Sequence, residues 1–251
     1  MNSKFVLIWF VSILGISSMF LPPNDGIKIF MIGDSTMANR PYKDGNPVKG
    51  WGQVLGLYFN SNITVENHAT NGRSTKSFID EGRWETVREN LRKGDYVIIQ
   101  FGHNDEKIND STRYRSPTDY QMNLEKFISE TLELGANPIL ATPIVRRRFD
   151  EKGEFYDTHG EYPEAARRAA RNKRVPLLDL HEGTRELVAN VYGSERSKNL
   201  FLHIPAGEYP SIMENMADDT HLSAIGAFRV CDLAISGIRN HIPGLAKYIK
   251  N

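Results

Sequence analysis

From residue 27 onward, short apolar runs bounded by Gly, Pro, Asn or Asp alternate with longer amphipathic stretches, and this alternation restricts the chain more than any other feature. A strand covered on both faces reads as a brief, continuous apolar run, whereas a helix packed on one side repeats its apolar residues every three or four positions. The strand-like runs are Ile27 to Ile32, Ile63 to Asn67, Tyr96 to Phe101, Pro138 to Ala141 and Val175 to Leu178. Trp51 to Phe59, Ser77 to Leu91, Pro117 to Leu134 and Tyr162 to Asn172 carry the helical spacing between them, and a final helix is predicted from about Ser223 to His241. Strands separated by helices of this length cross over and pair in parallel. The predicted class is α/β with a central parallel sheet of about five strands. No repeat or long linker divides the chain, so residues 27–251 are expected to form one domain. Two irregular stretches, Arg146 to Gly160 and Asn199 to Ala217, are long enough to be functional, and βα loops gather over the carboxyl ends of the strands, where ligands bind.

The beginning of the chain follows a different logic. Lys4 is the only charge before Asp25, and Phe5 to Ile16 is apolar apart from Ser12 and Gly15, the pattern of a secretory leader. With small residues at Ser17 and Ser18, residues 1–18 are expected to be a signal peptide and the rest to be exported, periplasmic or extracellular. The alternative is an uncleaved anchor, since the uncharged run reaches Asn24; its densely apolar part is shorter than the roughly 20 residues of a span, and Pro22 and Pro23 close it. Beyond that signal no membrane association is expected. Lys and Arg total 31 against 31 Asp and Glu, which excludes the basic excess of a nucleic-acid binder. Cys231 is the single cysteine, so no internal disulfide framework exists, and its apolar neighbours mark it as a small buried helix residue.

Chemistry concentrates at strand ends. Gly33-Asp34-Ser35-Thr36 follows the first strand and sets Ser35 where its hydroxyl can be exposed at a tight turn, a nucleophile's position, although a helix N-cap would use serine in the same way. Serine is a weak nucleophile at neutral pH; it needs an imidazole base, and the base needs an acceptor to fix its tautomer. Asp218-Asp219-Thr220-His221, ahead of the last helix, supplies both, with Asp218 or Asp219 as the acceptor. Acyl transfer also needs donors for an oxyanion. Gly72, in Asn71-Gly72-Arg73-Ser74, offers a backbone N–H, and Asn104, in Gly102-His103-Asn104-Asp105, offers a side-chain amide. Ser74 lacks the G-x-S-x-G context of a nucleophile elbow, because Lys76 fills the last position, and is expected to start a helix. Asp34 and Asp105 are expected to brace their turns. The histidines show no H-E-x-x-H or Cys/His ligand spacing, so neither metal nor cofactor is expected.

On these blocks the sequence resembles the GDSL or SGNH hydrolase superfamily, named for Ser, Gly, Asn and His, which match here as Ser35, Gly72, Asn104 and His221. The segments GDSTMA, GWGQ, NHATNGRSTKSF, GDYVIIQFGHNDE, TPIVRRRFD and DDTHLSAIGA extend the resemblance to the rhamnogalacturonan acetylesterase family across residues 28–240. The resemblance implies a flavodoxin-like three-layer α/β/α sandwich, a triad of Ser35, His221 and Asp218, an oxyanion hole of the Ser35 and Gly72 N–H groups with Asn104, and removal of acetyl groups from pectic polysaccharide. Acetylxylan or another acetylated sugar is the alternative substrate, with a lipid or thioester hydrolase a more distant one. The implied partner is an acetylated plant cell-wall polysaccharide or oligosaccharide, acted on by a monomer. Because galacturonate carries a carboxylate that suits a guanidinium fork, Arg73, Arg146, Arg147 and Arg148 are candidate substrate contacts.

Overall fold

The computed structural model describes residues 26–250, so the expected signal peptide lies outside the described residues. Five strands, β1 (Ile27–Gly33), β2 (Ile63–Asn67), β3 (Tyr96–Gln100), β4 (Asn137–Ala141) and β5 (Leu177–Leu178), form a parallel sheet in the order β2-β1-β3-β4-β5. Alternation along each strand feeds two separate cores. Ile29, Met31, Ile98 and Ile139 point to one face, and Phe30, Ile32, Val97, Ile99 and Leu140 to the other. The first face is covered by α1 (Trp51–Leu55), α8 (Ala224–His241) and α9 (Pro243–Ala246), through Trp51, Val54, Val230, Ile238 and Leu245. The second is covered by α2 (Thr75–Asp80), α3 (Arg83–Asn90), α4 (Pro117–Glu133) and α5 (Tyr162–Lys173). This is the expected three-layer α/β/α sandwich.

Local chemistry sets the helix ends. The Ser116 hydroxyl accepts the N–H of Asp119 and Pro117 opens α4; the Ser223 hydroxyl does the same for Gly226 at the start of α8. Ser74 is the N-cap of α2, in a reciprocal capping box with Ser77, the helix-entry role expected for it. Cys231 lies buried in α8 with its thiol donating to the Trp51 carbonyl, and burial pushes that thiol up.

Three stretches differ from expectation. The helix predicted over 77–91 is two helices, α2 and α3, because the chain turns at Gly82 with φ of +68°, a left-handed value that favours glycine. Residues 180–196, for which no element is predicted, are helical, with α6 (Leu180–Glu186), a π-turn over Leu187–Tyr192 and α7 (Gly193–Arg196). The segment 199–217, expected to be irregular, instead contributes β6 (Phe201–Ile204), which pairs antiparallel with β7 (Met216–Leu222). β7 carries Asp218, Asp219, Thr220 and His221, so its polarity hides a strand whose backbone is nonetheless paired.

Four aromatic rings fill the centre of the second core. Phe127 stacks on Phe101 at 5.7 Å and meets Trp84 edge-on at 5.1 Å, while Phe78 meets Phe101 at 5.3 Å. Phe127→Ala should therefore lower the unfolding free energy by about 3–5 kcal/mol in denaturant titrations, the cost of a large buried cavity. A loss under about 1 kcal/mol would mean that this cluster does not hold the layer together.

Candidate active site

At the carboxyl ends of β1, β2 and β3 lies a cavity of about 530 Å3, lined among others by Ser35, Gly72, Asn104, Asp218 and His221. Ser35 follows β1 in a turn rather than at the head of a helix. Asp34 builds that turn: its carboxylate accepts the N–H and hydroxyl of Thr36 at 2.9 and 2.8 Å, and its carbonyl accepts the N–H of Ala38. The hydroxyl of Ser35 lies 3.0 Å from Nε2 of His221, and Nδ1 of His221 lies 2.6 Å from Oδ2 of Asp218. The other carboxylate oxygen of Asp218 accepts the N–H groups of Thr220 and His221, at 2.8 and 3.0 Å. Burial opposes ionisation of Asp218, yet the His221 ring and these N–H donors bring its pKa down to about 2. An ionised acceptor at Nδ1 leaves Nε2 as the basic nitrogen facing Ser35. Asp219, the alternative acceptor, is occupied elsewhere by Arg147, Arg148 and the His203 ring, the last at 2.7 Å.

The donors expected for an oxyanion border the same cavity. Gly72 has φ of +73°, a conformation that makes glycine the fitting residue there. Among the described residues neither the Ser35 N–H nor the Gly72 N–H is spent on a hydrogen bond. The Asn104 amide donates one hydrogen to the Arg73 carbonyl at 3.0 Å, which fixes which side-chain atom is nitrogen and leaves its second hydrogen available.

Below these loops lies a layer of buried titratable groups. His103 lines the cavity with its ring packed edge-on against His159 at 4.6 Å, and its Nδ1 lies 3.3 Å from Asp34. Burial pushes His103 down to about 4 against the pull of Asp34, so its ring is neutral at neutral pH. Burial works against ionisation of Asp34, but His103 and the Thr36 donors hold its carboxyl below the ordinary value. Asp105 braces the neighbouring loop by accepting the N–H and hydroxyl of Thr75 at 3.0 and 2.5 Å.

Each of the four candidate arginines is tied to a carboxylate. Arg73 pairs with Glu81 at 2.9 Å, Arg146 with Glu106, Arg147 with Asp219 at 3.0 Å and Arg148 with Asp219 at 3.1 Å. Arg147 is only 9% exposed and also donates to the Ser194 carbonyl, so it fastens the loop after β4 to β7. Of the four, Arg146 lines the cavity, while Arg73 borders an adjoining groove. Their partners are scattered along the sequence, which is why the arginine run looked free. The cavity also takes in Arg40, Lys107, Val48, Leu202 and Met216, for which no motif signals a role. For Arg40, Val48 and Lys107 the one available hint was position in loops after β1 and β3, while Leu202 and Met216 stand on β6 and β7.

The family model for the GDSL-like lipase/acylhydrolase family matches residues 31–227 of the chain. The chain belongs to this family. Among relatives of this GDSL-like chain is the rhamnogalacturonan acetylesterase RhgT of Bacillus subtilis (strain 168), 41% identical over 84% of this chain and 89% of that protein. The rhamnogalacturonan acetylesterase of Emericella nidulans is 29% identical over 88% and 89% of the two chains. Among solved structures, protein YxiM of Bacillus subtilis superposes with a TM-score of 0.73 at 25% identity. The match covers 87% of this chain and 58% of the YxiM chain. As a GDSL-like hydrolase the chain is a carboxylic ester hydrolase, and the resemblance carried by its sequence motifs is borne out by these relatives. Among the described residues of this GDSL-like hydrolase, no group of three or more His, Cys, Asp or Glu is arranged to hold a metal ion, and no helix is long and apolar enough to cross a membrane.

Asp105 gives the site a measurable signature. Burial pushes its pKa up from 3.8 to about 7, the Thr75 hydrogen bonds opposing. The folded chain therefore holds this proton where the unfolded chain has lost it, so the associated stability is complete below about pH 3.8 and is lost as the pH rises through 7. Asp105→Asn has no proton to lose and keeps an acceptor for Thr75. Its unfolding free energy minus that of the parent should rise between about pH 4 and 7 and then level off. A difference independent of pH over that window would contradict the assignment.

Proposed function

We propose that the chain is an exported esterase that removes acetyl groups from acetylated pectic polysaccharide, rhamnogalacturonan in particular, through an acyl-enzyme on Ser35. The observation that carries this reading is the continuous relay from Asp218 to His221 to Ser35, in one cavity with two unspent backbone N–H groups and the Asn104 amide. The relatives named rhamnogalacturonan acetylesterase support the substrate class. Charged groups at Arg40, Lys107 and Arg146 also suit a polar carrier, whereas a long acyl chain would need an apolar tunnel.

In this mechanism Nε2 of His221 takes the Ser35 proton as Oγ bonds to the acetyl carbonyl carbon. The carbonyl π electrons move onto oxygen, and the N–H groups of Ser35 and Gly72 with the Asn104 amide hold the resulting oxyanion. As the carbonyl reforms, the bond to the sugar oxygen breaks and His221 returns the proton to that oxygen, freeing the sugar alcohol. Water, deprotonated by the same ring, then attacks the acetyl-serine; the bond from the acyl carbon to Oγ breaks, His221 returns the proton to Oγ, and acetate leaves. Asp218 keeps the imidazole oriented and stabilises its positive charge in both steps. Export rests on the apolar stretch from Phe5 to Ile16 behind Lys4.

Acetate release from acetylated rhamnogalacturonan, acetylxylan and a small aryl acetate tests the substrate. The reading expects the pectic polymer to be preferred; preference for xylan would overturn it. Ser35→Ala should abolish release from every substrate while leaving thermal unfolding unchanged, since the side chain adds little to the core. Asn104→Ala should lower turnover about 100- to 1000-fold with little change in KM, the loss typical of one oxyanion donor. Near-parental turnover in a folded Asn104→Ala variant would remove Asn104 from the oxyanion hole.

A further inference from the structure

The cations around the cavity fall into two groups. Arg146 is neutralised by Glu106, and in the adjoining groove Arg73, Lys76 and Arg113 are neutralised by Glu81, Asp80 and Asp110. Arg40 and Lys107 are not: among the described residues no carboxylate oxygen lies within ion-pair distance of either, although both line the cavity. The one carboxylate in the lining, Asp218, is engaged with His221. The cavity therefore presents two cations without a direct ion-pair partner beside the nucleophile, Arg40 feeling Asp218 and Asp34, and Lys107 feeling Asp110, from beyond ion-pair distance.

Arg40 is held there by a dedicated support. Gln53 accepts the Arg40 N–H at 3.0 Å and donates to the Arg40 carbonyl at 2.9 Å, pinning the main chain on both sides. Gln53 ends the Gly50-Trp51-Gly52-Gln53 motif, which has no part in the proposed acyl transfer. The guanidinium makes one hydrogen bond, from Nη2 to the Ser35 carbonyl at 3.3 Å, and its Nε is buried with no partner at all. Burial pushes the Arg40 guanidinium below its ordinary value, with Asp218 and Asp34 opposing, yet arginine remains charged under working conditions. Lys107, in the loop after β3, is exposed and reaches the same cavity without an ion-pair partner.

Resting on the pectic reading above, we infer that Arg40 is the specificity-determining residue of the site, its guanidinium receiving the carboxylate of a uronate bound beside the acetylated sugar, with Lys107 adding attraction from the rim. A carboxylate matches the planar fork and can accept from the outer Nη groups, whereas Nε is closed to solvent and lies out of a ligand's reach. A neutral sugar can accept through a hydroxyl but brings no negative charge to the pair.

The test compares an acetylated galacturonate oligosaccharide with the same oligosaccharide after its carboxyls are converted to neutral amides, following acetate release. The parent should favour the acid form, and Arg40→Gln should lower the acid-to-amide ratio of kcat/KM by about tenfold or more, chiefly through KM. Arg40→Lys, which keeps the charge but loses the fork, should retain part of the ratio. Lys107→Gln should lower it less and make the residual preference less sensitive to salt. Equal losses on both substrates in folded Arg40→Gln and Arg40→Lys variants would make Arg40 a support of the Ser35 turn and overturn the inference. So would a parent enzyme indifferent to amidation. If the parent cleaves an aryl acetate but releases nothing from either oligosaccharide, the pectic reading itself fails and the Arg40 assignment falls with it.

Discussion

The parallel pairing of β1 with β3 is the constraint on which the site depends. Their register, from Ile29 opposite Tyr96 to Gly33 opposite Gln100, brings the Ser35 and Asn104 loops out of the sheet side by side. Gln100 then ties the serine turn to the first core: its side-chain oxygen accepts the Trp51 indole N–H at 2.7 Å, and the Trp51 main-chain N–H bonds the Thr36 carbonyl at 3.0 Å. β2, on the other flank of β1, delivers Gly72. A shift of register by one residue would send every core side chain of these strands to the wrong face, so the hydrophobic division between the two layers is also what fixes the geometry of the polar cavity.

The remaining component comes from outside the sheet. β7 is short of apolar residues and, among the described residues, pairs with β6 alone, so its position rests on its own buried Leu222, on Leu202 and Ile204 of β6 and on the ion pairs of Asp219. Asp219 gathers Arg147, Arg148 and His203 around one carboxylate, fastening the loop after β4 to the strand that carries His221. Arg147 is buried in this cluster and Arg148 exposed, so losing Arg147 costs the anchor more than losing Arg148.

How much of this was legible in the sequence follows from what kind of signal each part leaves. β1 to β4 were readable to within a residue or two because strands buried on both faces must be continuously apolar, as in Ile29-Phe30-Met31-Ile32. Ser35, Gly72 and Asn104 were readable as candidates because each lies in a short block after a legible strand, and Asp218 and His221 because their block directly precedes the last helix. The β6–β7 hairpin was not, since Asp218-Asp219-Thr220-His221 has the composition of a loop and its pairing is a tertiary fact. Arg40 left no periodicity or cluster to notice, whereas Arg146-Arg147-Arg148 drew attention by adjacency alone. Their neutralising partners, Glu106 and Asp219, stand tens of residues away in the chain, so ion pairing was visible only in three dimensions.

The central claim is that Ser35 carries the acetyl group between the two halves of the reaction. Mass spectrometry of the enzyme, acid-quenched during turnover of an acetylated substrate and digested to peptides, tests this most directly. The account predicts one acetyl group on the peptide containing Ser35, appearing within the first turnover and disappearing once substrate is exhausted. Acetate released with no such adduct, or an adduct formed on Ser74 while Ser35 stays unmodified, would contradict it.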